Sequence, residues 1–371
     1  MQDRYPKFKA AVVQTAPVFL NRNATIDKAC QLILEAGKNG ASLVAFPEVF
    51  VPGYPYWVWM DAPTSTGNWF KRLFNEAVEI PSMATDELCR AAKKANIYVV
   101  IGVTEKTSTT LGAMWNTNII IDRRGGILGK CRKIMPTLAE KLVWGHGGDG
   151  DSFKVYDTDI GKLGTLICGT NANTLARFAL IGQGEQVHVA NYPAFPMPST
   201  GQMEDWIKLR AKAHCHEGKL FTLISTSTMS PEMLDMLWDT ADKKKLLGAE
   251  TYAYSGIYGP DAQPIVEIVN EDGIVYAEID IEDEILHKQF HDIVNQTTRA
   301  DLLTLHINTD EDKSVKFYSR RNQSLIIPDD INLSGPNFLL SLSEYSNEIK
   351  KNTKLIRMLL KNIDQTNRRS K

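Results

Sequence analysis

Apolar positions along this chain alternate between two periods. Residues 8–15, 41–46 and 97–103 are short, nearly continuous apolar runs, the pattern of strands buried on both faces. Between the first two the period lengthens. Over 23–38, Ile26, Ala29, Cys30, Ile33 and Leu34 recur on one helical face, with Asn23 placed to cap. A second helix opens at Ser82 or Thr85 and runs to Ala95. Runs at 116–122 and 127–130 flank Arg123-Arg124-Gly125-Gly126, a hairpin signal. Runs at 155–157 and 163–167 flank another turn. Further along, the pattern predicts helices over 174–181 and 202–218, strands over 186–190 and 220–225, and a late hairpin from 266–269 and 273–279. Strands interleaved with amphipathic helices predict an α/β sandwich.

Composition narrows the class. A chain of 371 residues, 43% hydrophobic and 23% charged, has the balance of a globular protein with a sizeable core. No Pro/Gly/Ser-rich linker divides residues 1–305, which therefore read as one domain. The formal net charge of -2 argues against a nucleic-acid or membrane-surface partner. No apolar run approaches the roughly 18 residues needed to span a bilayer, and residues 1–7 lack an apolar signal core, so the expected location is the cytoplasm. Five widely spaced cysteines without a CxxC pair do not form a disulfide framework. His214-Cys215-His216 invites a metal, but helical neighbours one and two residues apart point in different directions, and no metal is expected there.

From about residue 306 the alternation stops. Residues 308–313 are polar, and 339–363 have the spacing of an amphipathic helix through Ile349, Leu355, Ile356, Leu359, Leu360 and Ile363. Lys350, Lys351, Lys354, Arg357 and Lys361 make this end basic. A solvated tail and a tail that bridges subunits both fit.

Three strand ends carry chemistry. Leu163-Gly164-Thr165-Leu166-Ile167 leads into Cys168, with Gly169 and Thr170 directly after. A thiol at a strand-to-helix corner has both access and neighbouring backbone N–H donors, which a nucleophile needs. Phe46-Pro47-Glu48 ends another strand in a carboxylate. Arg132-Lys133 supplies a cation ahead of Pro136-Thr137, and Glu140 follows. Singly, each has an ordinary structural explanation; a cysteine on an apolar strand is most often inert.

Together they resemble the nitrilase branch of the carbon–nitrogen hydrolase superfamily. The resemblance spans roughly residues 8–305 and includes Lys9-Ala10-Ala11-Val12-Val13-Gln14, Val51-Pro52-Gly53-Tyr54-Pro55, Trp144-Gly145 and Gly184-Glu185-Gln186-Val187-His188. It implies an α-β-β-α four-layer sandwich with two mixed sheets face to face. It also implies a nitrilase that converts an organic nitrile to the carboxylic acid and ammonia, without a metal or organic cofactor. Cys168 would be the nucleophile, Glu48 the base, Lys133 with the Gly169 N–H the donors to the charged nitrogen, and Glu140 the group that orients Lys133. A thioimidate and then a thioester on Cys168 would be the intermediates. Tyr54, Trp57, Trp144, Gly169, Thr170 and Tyr192 are the expected substrate contacts. The expected partner is a small-molecule nitrile. The expected assembly is a homo-oligomer built from dimers, of the spiral or filament kind.

The chain departs from the family beside its nucleophile. Where the subgroup has Cys-Gly-Glu-Asn-Thr-Asn, this chain has Cys168-Gly169-Thr170-Asn171-Ala172-Asn173, so a charge is replaced by a hydroxyl. An amidase or carbamoylase of the same superfamily, and a non-catalytic filament-forming relative, are the competing readings.

Overall fold

Strand β1 (Lys7–Gln14) alternates between two interiors. Ala11 and Val13 face one apolar cluster, Ala10 and Val12 another, and all four are fully buried. A strand with no wet face has to lie inside a stack of layers. The protein, seen in a computed structural model, is described over residues 5–148, 150–195, 201–247 and 252–309, all within one compact unit, 1–312. The amphipathic pattern at 339–363 lies outside these residues.

In chain order the elements are β1, α1 (Arg22–Lys38), β2 (Ala41–Ala45), α2 (Gly67–Glu76), β3 (Val78–Glu79), α3 (Met83–Ala95), β4 (Tyr98–Lys106), β5 (Met114–Ile121) and β6 (Ile127–Arg132). There follow β7 (Tyr156–Thr158), β8 (Gly161–Ile167), α4 (Thr174–Ile181), β9 (Val187–Tyr192), α5 (Gly201–Gly218) and β10 (Phe221–Thr226). The last are α6 (Pro231–Leu237), α7 (Ala241–Leu247), β11 (Tyr254–Tyr258), β12 (Pro264–Val269), β13 (Gly273–Asp280) and α8 (Asp283–Phe290).

The strands build two mixed sheets. One runs β13-β1-β2-β4-β5-β6, with β3 beside β4; the other runs β12-β11-β10-β9-β8-β7. Between them Phe8, Val12, Leu43 and Val100 meet Leu163, Val189, Leu223 and Ile257. On the outer face of the first sheet, Ile26, Ala29 and Ile33 of α1 and Leu88 and Ala92 of α3 cover Val13, Val44 and Ile101. On the outer face of the second, Ile207, Ala211 and Cys215 of α5 cover Ala190, Tyr192 and Ile224. This is the α-β-β-α sandwich. Asn21 rather than Asn23 caps α1, accepting from the Ala24 N–H, and a capping box of Ser82 and Thr85 opens α3.

The late hairpin does not form. β12 pairs with β11 in the second sheet, whereas β13 pairs antiparallel with β1 in the first, from Lys7↔Asp280 to Gln14↔Gly273. Full-length pairing with a buried strand outweighs the local turn. Among the described residues no helix is long and apolar enough to cross a membrane.

Candidate active site

Four expected residues converge at the ends of β2, β6 and β8. Glu48 follows β2 in a loop that can sit this close to β4 only because Gly102 has no side chain; a Cβ there would lie 2.4 Å from both the Pro47 carbonyl oxygen and the Val49 nitrogen. Lys133 follows β6, its N–H donating to the Asn116 carbonyl at 2.8 Å. Glu140 sits in the short helix Leu138–Leu142, where it and Thr137 cap each other. Cys168 ends β8 with φ of 45°, a left-handed conformation unusual for a residue with a side chain.

The Lys133 ammonium is fully buried. It donates to Glu48 Oε1 at 2.8 Å and to the two oxygens of Glu140 at 3.0 and 2.7 Å. Glu48 Oε1 also accepts from the Asn116 amide at 2.6 Å. Its other oxygen, Oε2, is buried without a hydrogen-bond partner. Glu140 accepts further bonds from the Tyr54 hydroxyl and the Thr137 N–H, each at 2.7 Å, and Trp59 donates to that hydroxyl. Burial pushes the Cys168 thiol far above its ordinary range; the Glu48 charge adds to this and Lys133 opposes it. Burial also raises the Glu48 carboxyl, against the pull of Lys133. Lys133 is held charged: burial works against it, but Cys168, Glu48 and Glu140 outweigh burial. A neutral thiol beside a carboxylate of raised basicity is the arrangement in which a proton can pass as the sulfur attacks.

The corner carrying Cys168 is pinned from behind. The Asn171 amide donates to the Leu166 and Cys168 carbonyls at 3.0 and 3.1 Å. Its oxygen faces His188 Nε2 at 2.8 Å, and His188 Nδ1 lies 2.7 Å from Glu185. Both partners of His188 are acceptors, a Glu185 oxygen and the Asn171 amide oxygen, so the ring is held from two sides. His214 Nε2 contacts the other Glu185 oxygen at 2.8 Å. Burial lowers His214 to about 4, leaving it neutral at pH 7. Glu185 is lowered to about 2: burial opposes this, and the two histidines prevail. Glu185, His188 and His214 are the one candidate cation-ligand group among the described residues. Each histidine hydrogen-bonds one oxygen of Glu185, at 2.7 and 2.8 Å. His214 does so without His216, as the helical spacing requires.

A cavity of about 290 Å³ opens at Cys168. Tyr54 and Gly169 line it, as do Tyr56, Trp59, Phe195 and Trp206. The other expected contacts lie elsewhere. Trp57 is buried in a stack with Trp69, ring centres 5.2 Å apart, and Trp144 meets the edge of Tyr54 behind the cavity wall. Thr170 is buried in the turn after the nucleophile, and Tyr192 packs under α5. Asn116, Asn171 and Arg210 escaped the sequence reading. Alternation along β5 marks Asn116 as inward-facing. Arg210 stands seven residues after Met203 and four after Trp206, a helical stripe that faces the cavity.

Two α/β sheets stacked between helices, with acid, amine and thiol gathered at strand ends, are the frame of a hydrolase. Residues 9–288 match the family described as carbon-nitrogen hydrolase, and the chain belongs to it. It is 34% identical over 331 residues to a nitrilase of Bacillus sp. (strain OxB-1), covering 88% of this chain and 96% of that one. It is 36% identical over 309 residues to an aliphatic nitrilase of Rhodococcus rhodochrous, covering 81% and 82%. The Saccharomyces cerevisiae Nit3 structure superimposes with a TM-score of 0.62 at 20% identity, covering 79% of this chain and 97% of that one, which establishes a shared fold.

Proposed function

We propose that this protein is a nitrilase that hydrolyses an organic nitrile to the carboxylic acid and ammonia through Cys168. The buried ammonium of Lys133, fixed by Glu48 and Glu140 beside the thiol, is the observation that carries the reading. Glu48, through its unpartnered Oε2, takes the thiol proton as sulfur attacks the nitrile carbon. Charge then develops on the nitrogen, where the Lys133 ammonium and the Gly169 N–H stabilise it. Protonation gives a thioimidate. Water adds, the C–N bond breaks and ammonia leaves a thioester; a second water, activated by Glu48, releases the acid and restores the thiol. Glu140 holds Lys133 in line. These steps draw on side chains and water alone.

The curated relatives named nitrilases favour a nitrile over an amide as substrate. We read the hydrolase domain as residues 1–305 and 306–371 as a tail, in a cytoplasmic homo-oligomer built from dimers.

Ammonia release from aliphatic, arylaliphatic and aromatic nitriles, beside the matching amides, tests the function. Nitrile-dependent ammonia lost in Cys168→Ala is expected. Turnover of amides alone would move the protein to the amidases.

A further inference from the structure

We propose that Arg210 recognises an anionic group, and that the substrate is a nitrile bearing a carboxylate away from its cyano end. The inference rests on the nitrilase reading and names the substrate class of the same site.

The cavity wall is mostly apolar: Tyr54, Tyr56, Trp59, Phe195, Met203 and Trp206 face it. Among the described residues two charged side chains line it, Glu140 and Arg210. They are not equivalent. Glu140 is already saturated by Lys133, Tyr54 and the Thr137 N–H. Arg210 makes no ion pair with any described residue, in contrast to Arg177, which sits 2.8 Å from Glu217. Arg210 comes from the α5 face that presents Met203 and Trp206 to the cavity, while Ile207, Ala211 and Cys215 on the adjoining face pack on the sheet. The Tyr192 hydroxyl is the polar neighbour of Arg210 and brings no negative charge to it.

A guanidinium among aromatic rings, with a carboxylate-shaped fork of donors, is matched by a planar anion. Displacing water from the cavity strengthens that attraction. The site also imposes one orientation. Behind the thiol the Lys133 ammonium is already taken up by Glu48 and Glu140, so a substrate anion finds no free cation there and is drawn to Arg210. The neutral cyano group is left to face Cys168. Bound this way, the substrate is a cyano acid, and its product a dicarboxylic acid.

The test compares a cyanoalkanoate with the nitrile in which an isopropyl group replaces the carboxylate. The pair has nearly the same shape and differs in charge. The kcat/KM for ammonia release is measured for the intact protein, Arg210→Met and Arg210→Lys. The intact protein should favour the acid by at least about tenfold. Arg210→Met should cut that preference by roughly a hundredfold, mainly through KM of the acid, and Arg210→Lys should recover part of it. An unchanged preference in Arg210→Met, or an intact protein that favours the neutral nitrile, overturns the proposal. So does an equal loss on both substrates with a displaced pH profile, which would assign Arg210 to the thiol. Silence on both probes with ammonia released from another nitrile also overturns it, whereas silence on every aliphatic, arylaliphatic and aromatic nitrile is the failure of the nitrilase reading itself, distinct from all of these.

Discussion

Gly102→Ala should disable the enzyme without touching any reacting group. The added Cβ would lie 2.4 Å from the Pro47 oxygen and the Val49 nitrogen, and ordinary contact begins at 3.4 Å. The loop holding Glu48 must therefore retreat by about 1 Å, the difference between those two distances. Glu48 Oε1 holds Asn116 and Lys133 at 2.6 and 2.8 Å, so a retreat of that size stretches both bonds beyond useful length. A misplacement of about 1 Å at a reacting centre costs on the order of a hundredfold in rate. Overpacking also costs about 1–3 kcal/mol of stability, which a protein of this size survives. The assay is ammonia release on the best nitrile, with thermal unfolding measured alongside. Gly67→Ala is the control, because a Cβ at that helical position meets nothing within 4 Å. A folded Gly102→Ala protein with intact kcat would refute the reasoning, since Glu48 would then be free to move or not needed.

Three further outcomes are expected. His188→Leu should leave Asn171 unsupported and lower kcat by roughly tenfold to a hundredfold with KM nearly constant, and His188→Gln should restore part of it; equal damage from both, with KM rising, would mean a purely structural role. Thr170→Glu restores the charge usual beside the nucleophile and should change the amide fraction of the product; an unaltered acid-to-amide ratio would sink that idea. His214 is lowered in the folded protein from 6.5 to about 4. Its contribution is present above pH 6.5 and is lost as the pH falls toward 4, because the unfolded chain binds the proton first. Denaturant titration at pH 7 and pH 4.5 should show a fall of up to roughly 3 kcal/mol that His214→Gln largely removes; an identical fall in the variant would refute the assignment.

Strand ends were legible in the sequence because burial on both faces leaves an uninterrupted apolar run. The run before Cys168 and the one before Glu48 both end where their polar residue begins, and the sandwich puts those ends together. Pairing was less legible. Residues 266–279 read as a hairpin because a turn is local, whereas the partner of β13 lies 273 positions away at Lys7↔Asp280. Tyr254–Tyr258, interrupted by Ser255 and Gly256, gave no apolar run and was missed as a strand. In the site, charged residues near strand ends stood out, but their supports did not. Asn116 reaches Glu48 across 68 positions and His188 reaches Asn171 across 17, distances over which no local period carries information. The aromatic residues were hard to sort for the opposite reason. Trp57, Trp59 and Tyr54 share one loop, and only the fold decides which ring turns toward the cavity and which into the Trp69 stack.

The pairing of β13 with β1 has a consequence for synthesis on the ribosome. The first strand to emerge receives one of its two neighbours only after residue 273 has been made. Until then the β1 edge presents unpaired N–H and C=O groups along an apolar strand, a template for any other nascent chain. Molecules terminated before that point carry Glu48, Lys133 and Cys168 but an open sheet. Chaperones and proteases should meet them as sticky intermediates rather than as slow enzymes.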